Sequence, residues 1–193
     1  MKLDIVFCGV GGQGVVVLSD IYCEAAMLDG FDVAKAEIHG MAQRGGSIVA
    51  YARIGDKVEA PLIEAGKADA IVGFEILETA RALIMLKKEG KVVVNMKYIQ
   101  PSCGVSGLKT KKTDELMQIL RSKAIVHEVD GSGIAEKLGN LLVVNTVLLG
   151  ALSALPEIPV KQEAFQQAIA GRIKEKYVNL NLKAFELGRK SVL

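Results

Sequence analysis

KLDIVFCGVGGQGVV, residues 2–16, carries the clearest structural pattern of this chain. Its first part, Leu3–Phe7, is a mostly apolar run typical of a buried parallel strand. The glycine-rich turn Gly9–Gly14 follows, and Val15–Leu28 then contains almost no helix breakers. The order of strand, glycine turn and helix predicts a Rossmann-type crossover.

The same turn is a candidate ligand site. Glycines let the backbone turn tightly and approach a ligand, and the N-terminus of the following helix presents free N–H groups to an anion. We therefore predict cofactor-binding roles for Gly9, Gly11, Gly12, Gln13 and Gly14. The alternative is that Gly11 and Gly12 only permit a tight turn between strand and helix, with no ligand.

Length and charge limit the classes of protein that fit. The chain has 193 residues, 50% of them hydrophobic, and a formal net charge of +2. We expect a single domain over residues 1–193, with C-terminal helices from about residue 140 packed on it. The even charge balance argues against nucleic acid or a membrane surface as the main partner. Leu141–Leu155 is too short to span a bilayer and predicts a buried helix.

Cysteine and histidine usage excludes several kinds of site. The three cysteines are Cys8, Cys23 and Cys103, without a CxxC pair, and the two histidines are His39 and His127. This pattern fits neither a self-contained iron–sulfur cluster nor a zinc site, so no metal site is predicted. We expect Cys8 and Cys23 to be core residues and His127 a packed strand residue. With no secretory signal after Met1, a cytoplasmic location is expected.

A second candidate region follows the first helix. Phe31–Ile38 predicts a strand, and Glu37 in it lies about where a dinucleotide fold holds a ribose hydroxyl. The next loop, HGMAQRGG at residues 39–46, carries Arg44 beside Gly45 and Gly46. Strand ends of an open α/β sheet share one edge, so this loop and the glycine turn should hold a phosphorylated cofactor between them. The alternative is a flexible connector.

The remaining patterns alternate between strands and helices. Ser47–Ile54 predicts a strand that turns back onto Val58-Glu59 as a hairpin, and Glu75–Lys88 predicts an amphipathic helix. Further strands are predicted at Ala68–Phe74, Lys91–Asn95 and Ala124–Val129. The alternation predicts an α/β fold, with a Rossmann-like, mainly parallel sheet flanked by helices, a small hairpin excursion and C-terminal helices. The sequence contains no Ser-His-Asp arrangement, paired carboxylate site or GK[ST] motif. This favours a subunit over a self-sufficient enzyme.

Several separate motifs resemble one family. They are GVGGQG at residues 9–14, EIHGMAQRGG at 37–46, Pro61-Leu62-Ile63, Gly73-Phe74-Glu75 with Arg81, and NLKAFELG at 181–188. In this order, and over nearly the whole chain, they are similar to the gamma-type subunit of 2-oxoacid:ferredoxin oxidoreductases. The long HGMAQRGG form is most similar to the beta subunit of indolepyruvate ferredoxin oxidoreductase.

The resemblance implies an enzyme that works through a partner. In this family a larger chain holds thiamine diphosphate and iron–sulfur clusters and decarboxylates a 2-oxoacid, here indolepyruvate or another arylpyruvate. The acyl group passes to coenzyme A and the electrons pass to ferredoxin. The chain alone would then bind no cofactor and hold no catalytic residue, and in isolation it could form a homodimer. Met41, Pro61, Leu62 and Ile63 are the candidates for an uncovered interface.

Two other classes of function stay open on the residues alone. One is a stand-alone NAD(P)- or FAD-binding oxidoreductase that uses Gly9–Gly14 and Glu37. The other is a ligand-sensing module without catalysis. A neighbouring gene for a thiamine diphosphate-dependent chain with CxxCxxC cysteines would favour the subunit over both.

Overall fold

The computed structural model describes residues 1–40, 45–100 and 112–192. Within these ranges six strands form one sheet in the order β2-β3-β1-β4-β5-β6. The strands are β1 (Lys2–Val10), β2 (Asp32–His39), β3 (Ser47–Gly55), β4 (Ala68–Gly73), β5 (Leu86–Asn95) and β6 (Ile125–Val129). β1, β4, β5 and β6 run parallel, whereas β3 is antiparallel to its neighbours β1 and β2. The predicted α/β fold with a mainly parallel sheet is confirmed.

Helices cover both faces of this sheet. They are α1 (Val15–Leu28), α2 (Ile76–Ala82), α3 (Thr113–Lys123), α4 (Gly131–Lys137), α5 (Val144–Ser153), α6 (Gln162–Arg172) and α7 (Glu175–Lys190). On one face α1 contacts β1 and β3, α5 contacts β5, α6 packs on α1 and α7 packs on α5. On the other face α2 contacts β1, β4 and β5, and α3 packs against α2.

The central strand β1 belongs to two cores at once. Ile5 and Phe7 point to the core under α1 and α5, and Val6 and Cys8 point to the core under α2 and α3. All four side chains are fully buried. A strand buried on both faces needs a continuous apolar run instead of an alternating one, which is why this stretch is so hydrophobic.

The C-terminal helices are joined to the sheet by aromatic packing and close backbone contact. Tyr22 of α1 lies between Phe7 and Phe165, with ring centroids 5.6 and 6.1 Å apart. A Cβ atom added at Gly188 of α7 would lie 1.9 Å from the carbonyl oxygen of Val147 in α5. Only glycine fits such an approach, so α5 and α7 pack backbone to backbone.

The predicted hairpin between Ser47–Ile54 and Val58-Glu59 is wrong. β3 forms its hairpin with β2 instead, and its other edge pairs with β1 from Ser47↔Val10 to Gly55↔Lys2. Both edges of β3 are therefore occupied, and no edge is left for a further strand. Residues 57–64 accordingly contain no strand.

The helix predicted over Glu75–Lys88 is also too long. α2 ends at Ala82, a 3-10 turn covers Leu83–Met85, and β5 has already begun at Leu86, which pairs with Ala68 of β4. Pairing with β4 draws these residues into the sheet and overrides their helical pattern. Glu89 takes a left-handed conformation with φ of 60°, which a helix could not contain.

The two cysteines in the described residues are core residues, as predicted. Cys8 and Cys23 are buried and free. Burial raises the pKa of both thiols, that of Cys23 to about 12. Both therefore remain protonated and unreactive at neutral pH. Among the described helices, none combines the length and the apolar character that crossing a membrane would require.

Candidate functional site

The glycine turn is closed by a side chain of its own. Oε1 of Gln13 accepts a hydrogen bond from the backbone N–H of Val10 at 2.7 Å, and Nε2 donates to the carbonyl oxygen of Phe74 at 3.3 Å. Gly12 and Gly14 have φ angles of 99° and 90°, in the left-handed region that favours glycine. Gln13 thus holds the turn between the ends of β1 and β4.

The first turn of α1 lacks a side-chain cap. Its N-cap residue is Gly14, and no acidic residue lies in the first turn. The backbone hydrogen bonds of the helix begin with Leu18 N–H donating to Gly14 at 3.0 Å. The preceding N–H groups, at the positive end of the helix dipole, are therefore available to an anion.

The loop after β2 does approach the glycine turn. The N–H of Gly11 donates to the carbonyl oxygen of Gly46 at 2.8 Å, which confirms the expected proximity of the two segments. Gly45 is exposed and has a φ angle of 79°. The predicted site residue Arg44, like Met41, lies outside the described residues.

Glu37 is not brought to the glycine turn. Because β3 lies between β1 and β2, Glu37 stands two strands away from the end of β1. Its carboxylate pairs with Lys35 and lies 3.0 Å from Nε2 of His39. The hydrogen bond from Lys35 lowers the pKa of Glu37, with a smaller contribution from His39. Lys35 in turn pairs with Asp20, and Asp20 with Arg172.

A first cleft of about 380 Å³ opens beside the glycine turn. Its walls are residues 12–14, the 3-10 turn Leu141–Val143 and the corner between α6 and α7. That corner contributes Arg172, Lys174 and Tyr177. Asp20 and Glu24 pair with Arg172, whereas Lys174 has no ion pair among the described residues. No acidic side chain is found among the described residues that line this first cleft.

One wall of the first cleft carries a buried amide. Asn145 is only 8% exposed, and its Oδ1 accepts from the N–H of Thr146 at 2.7 Å. Its Nδ2 faces Gly14, where an added Cβ would lie 3.3 Å away, and it donates no hydrogen bond within the described part of the chain. Nδ2 is not one of the fully buried polar atoms that lack a partner, so it is open to the cleft and can donate to a ligand or to water.

A second cleft of about 240 Å³ lies outside the carboxyl ends of β1, β4 and β5. It shares Gly12, Gln13 and Leu142 with the first cleft and adds Lys97 and Ser132. Asn95 at the end of β5 donates to Phe74 O at 3.1 Å and to Ser132 Oγ at 3.3 Å. The chain crosses over in opposite directions from β1 and from β4, so this cleft marks the point where open α/β sheets bind ligands.

Sequence reasoning missed most of these walls. Arg172, Lys174 and Tyr177 are some 160 residues from the glycine turn and carry no local signal of a site. Asn145 was visible as a polar residue inside the apolar run Leu141–Leu155, and such a residue in a buried helix needs a partner. No group of three or more potential metal ligands is found among the residues that the structure describes.

Comparisons with known proteins agree on one family. The family model "Pyruvate ferredoxin/flavodoxin oxidoreductase" matches residues 4–191. "Indolepyruvate oxidoreductase subunit IorB" of Archaeoglobus fulgidus is 43% identical over 190 residues, which cover 97% of this chain and 94% of that protein.

Solved structures share the fold. The gamma subunit of keto/oxoacid ferredoxin oxidoreductase from Geobacter sulfurreducens has a TM-score of 0.73 at 25% identity and covers 98% of both chains. A 2-oxoglutarate:ferredoxin oxidoreductase from Magnetococcus marinus, solved with coenzyme A bound, has a TM-score of 0.74 at 19% identity. The match covers 99% of this chain and 31% of that one. The protein belongs to the pyruvate ferredoxin/flavodoxin oxidoreductase family, in which it is a gamma-type small subunit of a 2-oxoacid:ferredoxin oxidoreductase.

Proposed function

We propose that this chain is the small subunit of an arylpyruvate:ferredoxin oxidoreductase and binds the phosphates of coenzyme A at its first cleft. A larger subunit carries thiamine diphosphate and the iron–sulfur clusters. The overall reaction converts a 2-oxoacid, coenzyme A and two oxidised ferredoxins into acyl-CoA, carbon dioxide, a proton and two reduced ferredoxins. Indolepyruvate is the expected 2-oxoacid, in line with the name of the Archaeoglobus relative.

The observation that carries the coenzyme A part is the uncapped start of α1 in a cleft without acidic residues. Phosphate groups accept hydrogen bonds from helix N-terminal N–H groups, and the nearby Lys174, which has no ion pair among the described residues, supplies positive charge. The Nδ2 of Asn145 adds a neutral donor. These groups bind and orient an anion, but they do not form a nucleophile–base pair or another catalytic set.

The proposal divides the work between two chains, with ligand binding on this chain and redox chemistry on the larger subunit. Cys8 and Cys23 are buried with raised pKa values and cannot hold a cluster, and Cys103 is a single residue. The chain would therefore supply binding surface while its partner carries out the redox chemistry. Glu37 and Gly45 do not line the first cleft, so the proposal gives them no contact with coenzyme A.

The test is reconstitution. The chain is expressed alone and together with the larger subunit, and reduction of a dye by indolepyruvate is measured with and without coenzyme A. We expect no turnover and no visible absorption from the isolated chain, and coenzyme A-dependent turnover from the complex. Pyruvate and 2-oxoglutarate serve as alternative substrates.

Turnover by the isolated chain would contradict the proposal. So would a rise of several degrees in its melting temperature with millimolar NAD, because ligand at a hundred times its Kd stabilises a fold by about 2.7 kcal/mol. That result would favour a dinucleotide-dependent enzyme.

A further inference from the structure

Two neighbouring leucines project between the two clefts. Leu141 and Leu142 are 61% and 79% exposed, and we call them the leucine rim. They lie in a 3-10 turn that is held in place from both sides: Oδ1 of Asn140 accepts from the N–H of Leu142 at 3.0 Å, and Val143 beneath them is buried. The side chains are thus presented to solvent by a fixed backbone.

The surroundings of the leucine rim are apolar at the centre and basic at the edge. Val17 and Tyr177, 39% and 41% exposed, line the first cleft together with Leu142. Lys97 stands at the second cleft and Lys174 at the first. Neither lysine has an ion pair among residues 1–40, 45–100 and 112–192, and no described lining residue of either cleft is acidic. An apolar centre with an uncompensated charged edge is the pattern of an interface.

The surface expected from the sequence fits this pattern less well. Ile63 is buried at 5% exposure, so its predicted place in an uncovered interface is wrong. Leu62 is 60% exposed, but its neighbours across the cleft at the start of β1 are charged residues of both signs, Lys2, Glu64 and Lys67 among them. Those charges compensate one another and leave less for a partner to complement.

We propose that the leucine rim inserts into an apolar recess of the larger subunit, of which an acidic residue pairs with Lys97 at the second cleft. The proposal rests on the proposed function, which supplies the larger subunit as the occupant. Lys97, which has no ion pair among the described residues, favours a partner surface of negative charge. Docking there would close both clefts from the open side, so that a ligand held at the glycine turn would be enclosed by two chains.

The test measures association directly, with no ligand present. The complex is assembled from the larger subunit and the wild-type chain, Leu142→Asp or Met27→Asp. Met27, at the end of α1, is 57% exposed and belongs to neither cleft, which makes it a matched control. We expect Leu142→Asp to weaken association at least a hundredfold, with an unchanged melting temperature for the isolated chain, and Met27→Asp to assemble normally.

Three outcomes would overturn the proposal. In the first, Leu142→Asp assembles with wild-type affinity. In the second, Leu142→Asp and Met27→Asp weaken assembly equally, which would show a general effect of added negative charge. In the third, the isolated chain forms a dimer that Leu142→Asp dissociates, which would assign the leucine rim to a second copy. Failure of the wild-type chain to assemble at all would instead contradict the proposed function.

Discussion

The cleft at the amino edge of the sheet and the clefts at the carboxyl edge differ in whether their polar groups have hydrogen-bond partners. At the amino edge a cleft of about 570 Å³ contains a buried ion pair, in which Arg53 donates to both carboxylate oxygens of Asp4 at 2.8 and 3.0 Å. Arg53 also donates to Ala60 O at 3.0 Å, and Asp69 accepts from the N–H of Asp4 at 2.7 Å. The buried polar groups there satisfy one another.

At the carboxyl edge, groups of the same kind remain available. The first turn of α1 is uncapped, Nδ2 of Asn145 donates to no described residue, and Lys174 has no described ion pair. The larger cleft is therefore the one with paired polar groups, and the proposed site lies at the smaller clefts. The two edges differ in whether their polar groups have hydrogen-bond partners. A choice by cleft volume alone would select the amino edge as the binding site.

The largest expected effect is at the amino edge. Arg53→Met removes the bidentate partner of the Asp4 carboxylate, which is 3% exposed, and leaves it only the exposed Lys2 at 3.2 Å. Breaking a buried pair in this way should lower the free energy of unfolding by about 3–5 kcal/mol. Urea denaturation of the isolated chain measures it. In the assembled enzyme the KM for coenzyme A should not change.

The control for Arg53→Met is Lys57→Met, which removes a surface pair with Glu59 and should cost roughly 0–1 kcal/mol. If Arg53→Met were as mild as that control, the amino edge would not be the self-satisfied structure described above.

Two glycines with the same backbone conformation, one at the first cleft and one away from it, allow a matched test of the site. Gly14 and Gly30 share a φ angle of 90°, so alanine at either position should cost about 1–2 kcal/mol of stability. Only at Gly14 does the added methyl group meet the site, 3.3 Å from Nδ2 of Asn145, whereas nothing lies within 4 Å at Gly30. Both variants should melt earlier, and only Gly14→Ala should raise the KM for coenzyme A. Equal KM values would place the coenzyme away from α1.

A smaller effect is expected from one charge at the carboxyl edge. Lys174→Ala should raise the KM for coenzyme A about tenfold, equivalent to about 1.4 kcal/mol, without lowering the melting temperature. The difference should shrink at high salt, because the lysine is exposed and its charge is screened. Lys183→Ala removes an exposed lysine of the same helical region outside the first cleft and should behave as wild type. Identical behaviour of the two variants would remove Lys174 from the site.

The smallest effect concerns a polar group at neither edge. Nε2 of His127 in β6 is buried without a hydrogen-bond partner in the described residues. Burial lowers the pKa of His127, the positive charge of Lys91 adds to this, and Glu157 opposes it. As the pH falls below about 6.5, the unfolded chain therefore binds the proton first and the folded state loses stability.

Unfolding measured from pH 7 to pH 5 tests this sign. The wild-type free energy of unfolding should fall over this range, and His127→Leu should remove that part of the fall. His39→Leu, which removes an exposed histidine, should retain it. Parallel curves for wild type and His127→Leu would show that the ring finds a partner when it is protonated.

Local patterns were sufficient to predict most elements and the glycine turn. β1 and α1 are recognisable from about fifteen residues. A strand buried on both faces is a continuous apolar run, and the glycines that follow it mark the turn into the helix. The position of β3 between β1 and β2 was not predictable, since strand pairing joins residues far apart in the chain. Because β3 lies between β1 and β2, Glu37 is farther from the glycine turn than it would be in a dinucleotide-binding fold. Both edges of β3 are paired for the same reason, so the predicted hairpin with Val58-Glu59 cannot form.

The candidate site was predictable only on one side. The glycines predict the turn from a local pattern. Lys174 and Tyr177 lie near this turn because of how α6 and α7 pack, and no short motif predicts that packing. The close contact of Gly188 with Val147 carries no local signal either, although the resemblance to a family covered both residues 9–14 and residues 181–188.

The backbone contact between α5 and α7 also sets when the first cleft can exist. α7 supplies Tyr177 and Asn181 to a cleft that residues 12–14 also line, so the cleft joins the turn after β1 to the last described helix. During synthesis the glycine turn leaves the ribosome early, but the wall formed by α7 is missing until that helix has emerged and packed on α5. Anion binding at this cleft would thus report that α7 has docked on α5.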